Sequence, residues 1–500
     1  MRPKQHTHIH KDVQVDYLSR IKFSKDGKTL LHFPKKFKGE YRIPETVERI
    51  KEGAFERCNY LTSIIIPEGI MTIDNFTFRG CVNLNRVQLP NSLTTIIWGA
   101  FQDCINLISI DIPSGVSDIS ALAFAKCINL MAINVSPDNK YFSSIDGVLY
   151  NKNKSKLILC PNGKKYYILP NSIVEISRDA FNECKSLKNI ETFPESNNYY
   201  SDDGILLNKE KTAIVRYPIG RQMTSFSIPQ EVLCIEDNAF CGCENLSSIV
   251  LSDKVKTIGN YAFCDCKNLL SINIPSDVCI IGNVAFAGCS SLSSIIVPEK
   301  VEKIGDFAFS NCSKLKTINL PNSVRSLGYG AFEFCFSLTT CVLSENISLI
   351  VNDTFWECHS LTTIVIPDGV KSIGEDAFFE CDSLTSIVIP KSVENIESGA
   401  FCGCERLESV IIEKGIRKIG YSAFRYCKNM AYINLPDSIT DIEDSAFFNC
   451  ISLKNLCIPT SVKNIGKGVF NGCGELELKL PQQLQLSEED QENCKRVIYY

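Results

Sequence analysis

Three kinds of side chain in this sequence have the chemistry to react or to hold a metal: the thiols of 25 cysteines, the imidazoles of 5 histidines, and long rows of serine and threonine hydroxyls. A thiolate is a nucleophile when a positive neighbour lowers its pKa, a metal ligand when several converge, and half of a disulfide when a second thiol lies close enough. Because 25 is odd, complete pairing within one chain is impossible. Histidine is too scarce to supply nucleophile–base dyads: beyond the N-terminal tail there are only His32 and His359, far apart in the chain, and His359 follows Cys358 in what reads as a surface slot. No glycine-rich loop opens a helix, and no Cys/His spacing fits a zinc module. The chain therefore reads as a non-enzyme, with no catalytic residue, no cofactor and no metal site assigned. His6, His8 and His10 alternate in the tail, a spacing that suits a transition metal on an extended segment. A polar disordered terminus is the simpler account of them.

What positions the cysteines is a repeat. Cys58, Cys81, Cys104 and Cys127 stand 23 residues apart, the series from Cys243 to Cys473 keeps the same step, and with Cys184 between them they mark sixteen units. Each unit has Phe three residues before its Cys and Leu three residues after it, except for Met430. In residues 384–389, Leu-Thr-Ser-Ile-Val-Ile, the inward Ile387 and Ile389 are two apart, which predicts one strand per unit with one buried face, ended by Pro390. Val393 and Ile396 form a second short apolar pair, and Ala400-Phe401 point inward before the loop that carries Cys404. No single unit buries all of these groups alone. Stacked units bury them in columns, so stability becomes a sum of nearest-neighbour interfaces. The predicted fold class is mainly β: a single solenoid of about sixteen 23-residue coils with a parallel strand face. Set between a buried Phe and a buried Leu, the repeat cysteines read as small buried groups bonded weakly to the loop backbone.

With Leu-x-x-Ile-x-Ile-Pro, then Val-x-x-Ile-Gly, then Ala-Phe-x-x-Cys over about residues 40–481, the unit resembles the leucine-rich repeats of the BspA-like (Treponema pallidum-type) class. Two longer units resemble that class's extended repeat, which carries a hairpin-like insertion: 146–150 to 158–161 and 203–207 to 215–218, within insertions near 136–170 and 194–229. Residues 21–34 resemble the same insertion. This gives an N-terminal tail and cap over 1–40, the leucine-rich-repeat solenoid over 41–481, and a C-terminal cap over 482–500, where Ser487-Glu-Glu-Asp-Gln491 starts like a helix. The resemblance also implies kinship with surface proteins of bacteria and protozoa that adhere to host matrix or to other cells.

The formal net charge of −5, from 52 basic and 57 acidic residues, offers no basic field for nucleic acid or anionic membrane. No run of about 18 apolar residues is present to span a membrane. The polar start shows no signal peptide and no anchor is visible, so the chain reads as cytoplasmic as written, in contrast to the cell-surface habit of the class it resembles. The partner expected is a protein, of an identity and with an oligomeric state that the sequence leaves open. Two surfaces are candidates. Five residues after the repeat Cys, the strand face carries Ser63, Ser109, Ser248, Ser271, Ser294, Thr317, Thr340, Thr363, Ser386 and Ser409; two residues further on stand Val250, Ile296, Val342, Val365, Val388 and Ile411 among asparagines. The loops just before the repeat Cys carry Phe334, Trp356, Phe379, Tyr426 and Phe448, residue types favoured as interface anchors. Tight stacking on a pleated surface and local loop packing account for the two rows equally well. Cys241, Cys264 and Cys402 lie two residues before a repeat Cys and are expected to be exposed; Cys241 and Cys264, equivalent in successive coils, fall within disulfide reach. The function expected is a non-enzymatic protein–protein interaction module, adhesin-like or receptor-like, with an intracellular scaffold as the alternative. A carbohydrate-binding module is disfavoured by the shortage of aromatic residues on the strand face.

Overall fold

The computed structural model describes residues 20–500, so His6, His8 and His10 lie outside the described residues. The chain is a mainly β solenoid, with a single five-residue α-helix, Glu488–Glu492, and a single 3-10 turn, Ala121–Phe124, among the described residues. It divides, inside the second insertion, into two compact units: the residues up to Glu210 with Tyr217–Arg221, and Lys211–Arg216 with Gln222–Tyr500.

In the first unit the strand face runs through Gly39–Arg42, Leu61–Ile65 and Arg86–Gln88, then Ser109–Ile112 with Ala132–Val135, then Tyr166–Leu169 with Asn189–Thr192, all parallel. At its start Lys22–Phe23 and Thr29–His32 form an antiparallel hairpin. Phe33, Phe37 and Tyr41 pack together above Phe55. The first insertion is the antiparallel set Phe142–Ile145, Val148–Asn151 and Lys156–Leu159, whose last strand returns to parallel pairing with Glu175–Ile176.

In the second unit the strand face begins at Ser225–Ser227 and continues in 23-residue steps through Ser248–Val250 to Asn455–Cys457, then Glu477–Leu480 and Arg496–Tyr499. The solenoid has about 20 turns rather than sixteen. Gly39–Arg42 and Tyr166–Leu169 are rungs of the first unit's strand face, and Ser225–Ser227 and Arg496–Tyr499 of the second's, although no cysteine at the repeat position announces them. Nor is there one strand per coil. The second apolar pair forms its own parallel ladder of two-residue strands, as in Leu349–Ile350, Ser372–Ile373, Asn395–Ile396, Lys418–Ile419, Asp441–Ile442 and Asn464–Ile465. Two residues are too few for alternation to be seen in sequence; only their recurrence at one register builds the ladder.

The core is a set of columns. From Phe240 to Phe470 the repeat phenylalanines stack at centroid spacings of 5.1–6.0 Å with ring planes within 15° of parallel. From Cys266 to Cys473 each repeat Cys donates its thiol to the carbonyl of the Phe one coil earlier, as Cys312 to Phe286 at 3.2 Å and Cys404 to Phe378 at 3.1 Å, whereas Cys184 donates to the Cys160 carbonyl at 3.3 Å. The loop between Phe and Leu turns sharply, with the residue before each repeat Cys in left-handed backbone, Gly at 80, 242, 288, 403 and 472 and a side-chain residue elsewhere, such as Asp103 (φ 60°) or Glu380 (φ 54°). The N–H of that residue donates to the residue two before the next repeat Cys: Phe334 to Trp356 at 2.8 Å, Tyr426 to Phe448 at 2.9 Å.

Candidate functional site

On the strand face of the second unit, alternation sorts the side chains. Cys341, Ile364, Ile387 and Val410 point into the core, while Thr340, Thr363 and Ser386 are exposed and Ser409 is half-buried. Parallel pairing at constant register sets Thr317 beside Thr340, Thr340 beside Thr363, and Ser386 beside Ser409. Ser248 and Ser271 are likewise paired, the first half-buried and the second exposed. Ser294 is exposed but belongs to no strand, for the ladder is interrupted over 294–297. Ser63, in the first unit, is buried beside a register shift between Gly39 and Glu40. Two residues along from the hydroxyl row stand Val342 (56% exposed), Val365 (78%), Val388 (49%) and Ile411 (46%) in successive coils. Val342 stands in Thr340–Val342, Val365 directly follows Thr363–Ile364, and Val388 and Ile411 stand in the next short sheet, so four β-branched aliphatic side chains recur at one position on the solvent side. The equivalent face of the first unit is polar, with a hollow of about 750 Å³ lined by Arg86, Gln88, Asp111 and Asn134.

The loop-edge aromatics are half-buried and pack on one another. Trp356 lies 5.8 Å from Phe334 and meets Phe379 edge-on at 5.8 Å. Tyr426 meets Phe448 edge-on at 5.6 Å, and the Arg425 guanidinium covers both rings at 4.8 and 4.6 Å. The backbone bond from the residue before one repeat Cys to the residue two before the next brings Phe334 against Trp356 and Tyr426 against Phe448, so part of this row is local packing. Beside it lies a hollow of about 370 Å³ lined by Asp376, Phe379, Glu380, Cys402, Arg425 and Tyr426. Burial, together with the carboxylates of Glu375 and Asp353, pushes the Asp376 carboxyl up to about 6.

The thiol expectations need correction. Cys402 is buried, 8% exposed, in the wall of that hollow with Tyr421 and Arg425 of the next coil. Burial pushes its thiol up to about 11. Cys241 and Cys264 are half-buried rather than exposed, and the Cys264 thiol donates to Asp265 Oδ2 at 3.8 Å. The exposed thiols are Cys279 and Cys457. The alternation of Asn455-Leu456-Cys457, exposed, buried, exposed, was the signal available for the second of these.

A family model described as the BspA type leucine-rich repeat region matches in six copies, at residues 34–153, 160–205, 219–339, 280–407 and 394–495. Among solved structures, a leucine-rich cell surface protein of Faecalibacterium prausnitzii is 30% identical over 60% of this chain and 64% of its own, so the match spans less than two thirds of that relative's length (TM-score 0.31). A leucine-rich repeat protein of Bacteroides ovatus is 20% identical over 96% of this chain and 97% of its own (TM-score 0.41). The leucine-rich repeat protein of T. pallidum is 26% identical over 48% of this chain and 90% of its own (TM-score 0.29). No curated protein matches the chain.

Proposed function

The chain belongs to the BspA-type leucine-rich-repeat family, and from that premise we propose that it is a non-enzymatic interaction module, adhesin-like or receptor-like, that binds a protein partner across the strand face of its second unit. The observation that carries the reading is the aliphatic row Val342, Val365, Val388 and Ile411, exposed at the same position of four successive coils. An aliphatic side chain in water gains nothing by that placement, whereas covering it with a partner recovers roughly 25 cal/mol per Å². The flanking Thr340, Thr363 and Ser386 supply short, adaptable hydrogen-bonding groups that cost little side-chain entropy to order.

The aromatic edge supports a second reading. Its hollow, lined by Phe379, Arg425 and Tyr426, would take an aromatic or apolar anchor from a partner. Capture of proteins on immobilised chain distinguishes the two surfaces. The double variant Val365→Glu/Val388→Glu should lose its specific partner by at least about tenfold in affinity, because two charges would have to be buried in the contact. Trp356→Ser/Phe379→Ser should retain it while lowering the thermal midpoint by a few degrees through lost ring packing, whereas the strand-face variant should stay within about 2 °C of the parent. Retention by the strand-face variant would end the first reading; loss confined to the aromatic variant would move the site to the loop edge.

A further inference from the structure

Beside the loop-edge aromatics, two successive coils bring a histidine and three carboxylates together. Glu357 and His359 flank Cys358; one 23-residue step on, Glu380 and Asp382 flank Cys381. One donor atom from each of Glu357, His359 and Glu380 lies within 4.8 Å of the other two. The imidazole is held from two sides. Phe336, at the same slot one coil earlier, stacks on it with centroids 5.5 Å apart and planes 8° from parallel. Its Nδ1 lies 2.9 Å from Asp382 Oδ2 and 3.0 Å from the Glu380 carbonyl oxygen. Both neighbours only accept, so Nδ1 carries a proton, and in the neutral ring the lone pair is on Nε2.

That lone pair lies on the side of the Glu357 carboxylate. Nε2 stands 3.8 Å from Glu357 Oε2, too far for a hydrogen bond. Two donors on one tetrahedral cation, with bonds of about 2.0–2.1 Å, stand about 3.3 Å apart, so the Nε2–Glu357 pair must close by about half an ångström and no pair in the cluster by more than about 1.5 Å, within reach of side-chain rotation. An imidazole whose far nitrogen is fixed by a carboxylate and whose near nitrogen lies toward another has the orientation of a metal-bound histidine. Three carboxylates against one neutral ring also leave local negative charge that a dication offsets. The side chains of Glu357, His359 and Asp382 are 29%, 37% and 44% exposed, so a hydrated ion has access.

We propose that Glu357, Glu380 and the Nε2 of His359 bind a divalent transition-metal cation of the Zn²⁺ class, with Asp382 as the residue that positions the imidazole and a fourth coordination place left to water. One nitrogen and two oxygens suit this class better than Ca²⁺ or Mg²⁺, which take more numerous, all-oxygen ligands. The site stands independently of the strand-face reading.

Co²⁺ is the probe, because its spectrum reports the ligands and sets this site apart from the cysteines. The full chain carrying Cys279→Ser and Cys457→Ser, with His6→Ala, His8→Ala and His10→Ala so that the tail supplies no imidazole, is stripped of metal with a chelator and titrated with CoCl₂. The expected result is one equivalent bound, with visible d–d bands and no thiolate charge-transfer band. Glu357→Gln, Glu380→Gln and His359→Ala should each abolish saturable binding, and Asp382→Asn should weaken it about 10–100-fold, with unchanged thermal midpoints showing that the variants fold. A protonated His359 that simply pairs with Glu357 and Asp382 would bind no cobalt. Absence of saturable binding, a thiolate band, or an equivalent still bound by both Glu357→Gln and His359→Ala overturns the proposal.

Discussion

At the scale of single residues, the recurring cysteine is a structural group that its surroundings keep unreactive. Its thiol donates to a phenylalanine carbonyl one coil back, at 3.1 Å for Cys381's neighbour Cys404 and 3.2 Å for Cys381 itself. Burial pushes the thiols of Cys127, Cys243 and Cys335 up to about 12, so almost none is thiolate at neutral pH. A thiolate-selective alkylating reagent should therefore modify Cys279 and Cys457 within minutes in the folded protein, reach Cys241 and Cys264 slowly, and leave Cys402 and the repeat cysteines until denaturant is added. Peptide mapping of the label checks this. Cys402 labelling as fast as Cys279 would contradict the burial described above. The sequence placed the repeat cysteines correctly because Phe at −3 and Leu at +3, or Met430 in one unit, enclose them. It misplaced Cys402 because the covering groups, Tyr421 and Arg425, come from the following coil and are not neighbours in sequence.

At the scale of the element, the same distinction between local and cross-coil information decides what was legible. The strand after each Leu is readable because its two inward residues alternate with outward ones. The second ladder and the charged cluster around His359 depend on residues 23 apart, and only reading the chain as aligned columns shows Glu357 above Glu380 and His359 above Asp382. Loop backbone was hidden too. Five residues before the repeat Cys the chain again takes left-handed backbone, with Gly at 330 and 399 and Asn at 238 (φ 59°), yet one coil places Val284 there at φ 59°. A β-branched residue is poorly suited to that region, whereas asparagine tolerates it. Val284→Asn should stabilise the second unit by about 1 kcal/mol and raise its thermal midpoint by about 2 °C. Val284→Ala, which removes the branch at the β-carbon but has no polar group to bond the local backbone, should give only part of this gain. Calorimetry comparing the two variants with the parent is the check, and midpoints that neither variant raises would remove the backbone explanation.

At the scale of the whole molecule, a solenoid whose coils satisfy one another has a problem at its ends. Inside the second unit each loop donates three backbone N–H groups to the next coil: Gly399 to Tyr421, Phe401 to Ala423 and Gly403 to Arg425, each at 2.8 Å. The last cysteine-bearing coil has no such successor. Its equivalent donors bond instead to side chains of the closing segment: Gly468 to Asp490 Oδ2 at 2.9 Å, Phe470 to Asp490 Oδ1 at 2.8 Å, and Gly472 to Asn493 Oδ1 at 3.1 Å. Asp490 is fully buried, and Ser487 fixes it from the helix start by accepting its backbone N–H at 3.1 Å. We infer that residues 482–500 cap the solenoid, one carboxylate and one amide doing the work of three carbonyls. Asp490→Ala should leave two buried donors unpaired and cost about 3 kcal/mol. Asp490→Asn, whose single amide oxygen can still accept, should cost less. Because coils in such a protein are coupled chiefly to their neighbours, the loss should be graded. Amide hydrogen exchange should quicken most over 455–480, less with each coil toward the N-terminus, and not at all near Phe240. Uniform acceleration across the second unit would show instead that it unfolds as one cooperative block, and unchanged exchange over 455–480 would show that the closing segment is not its cap.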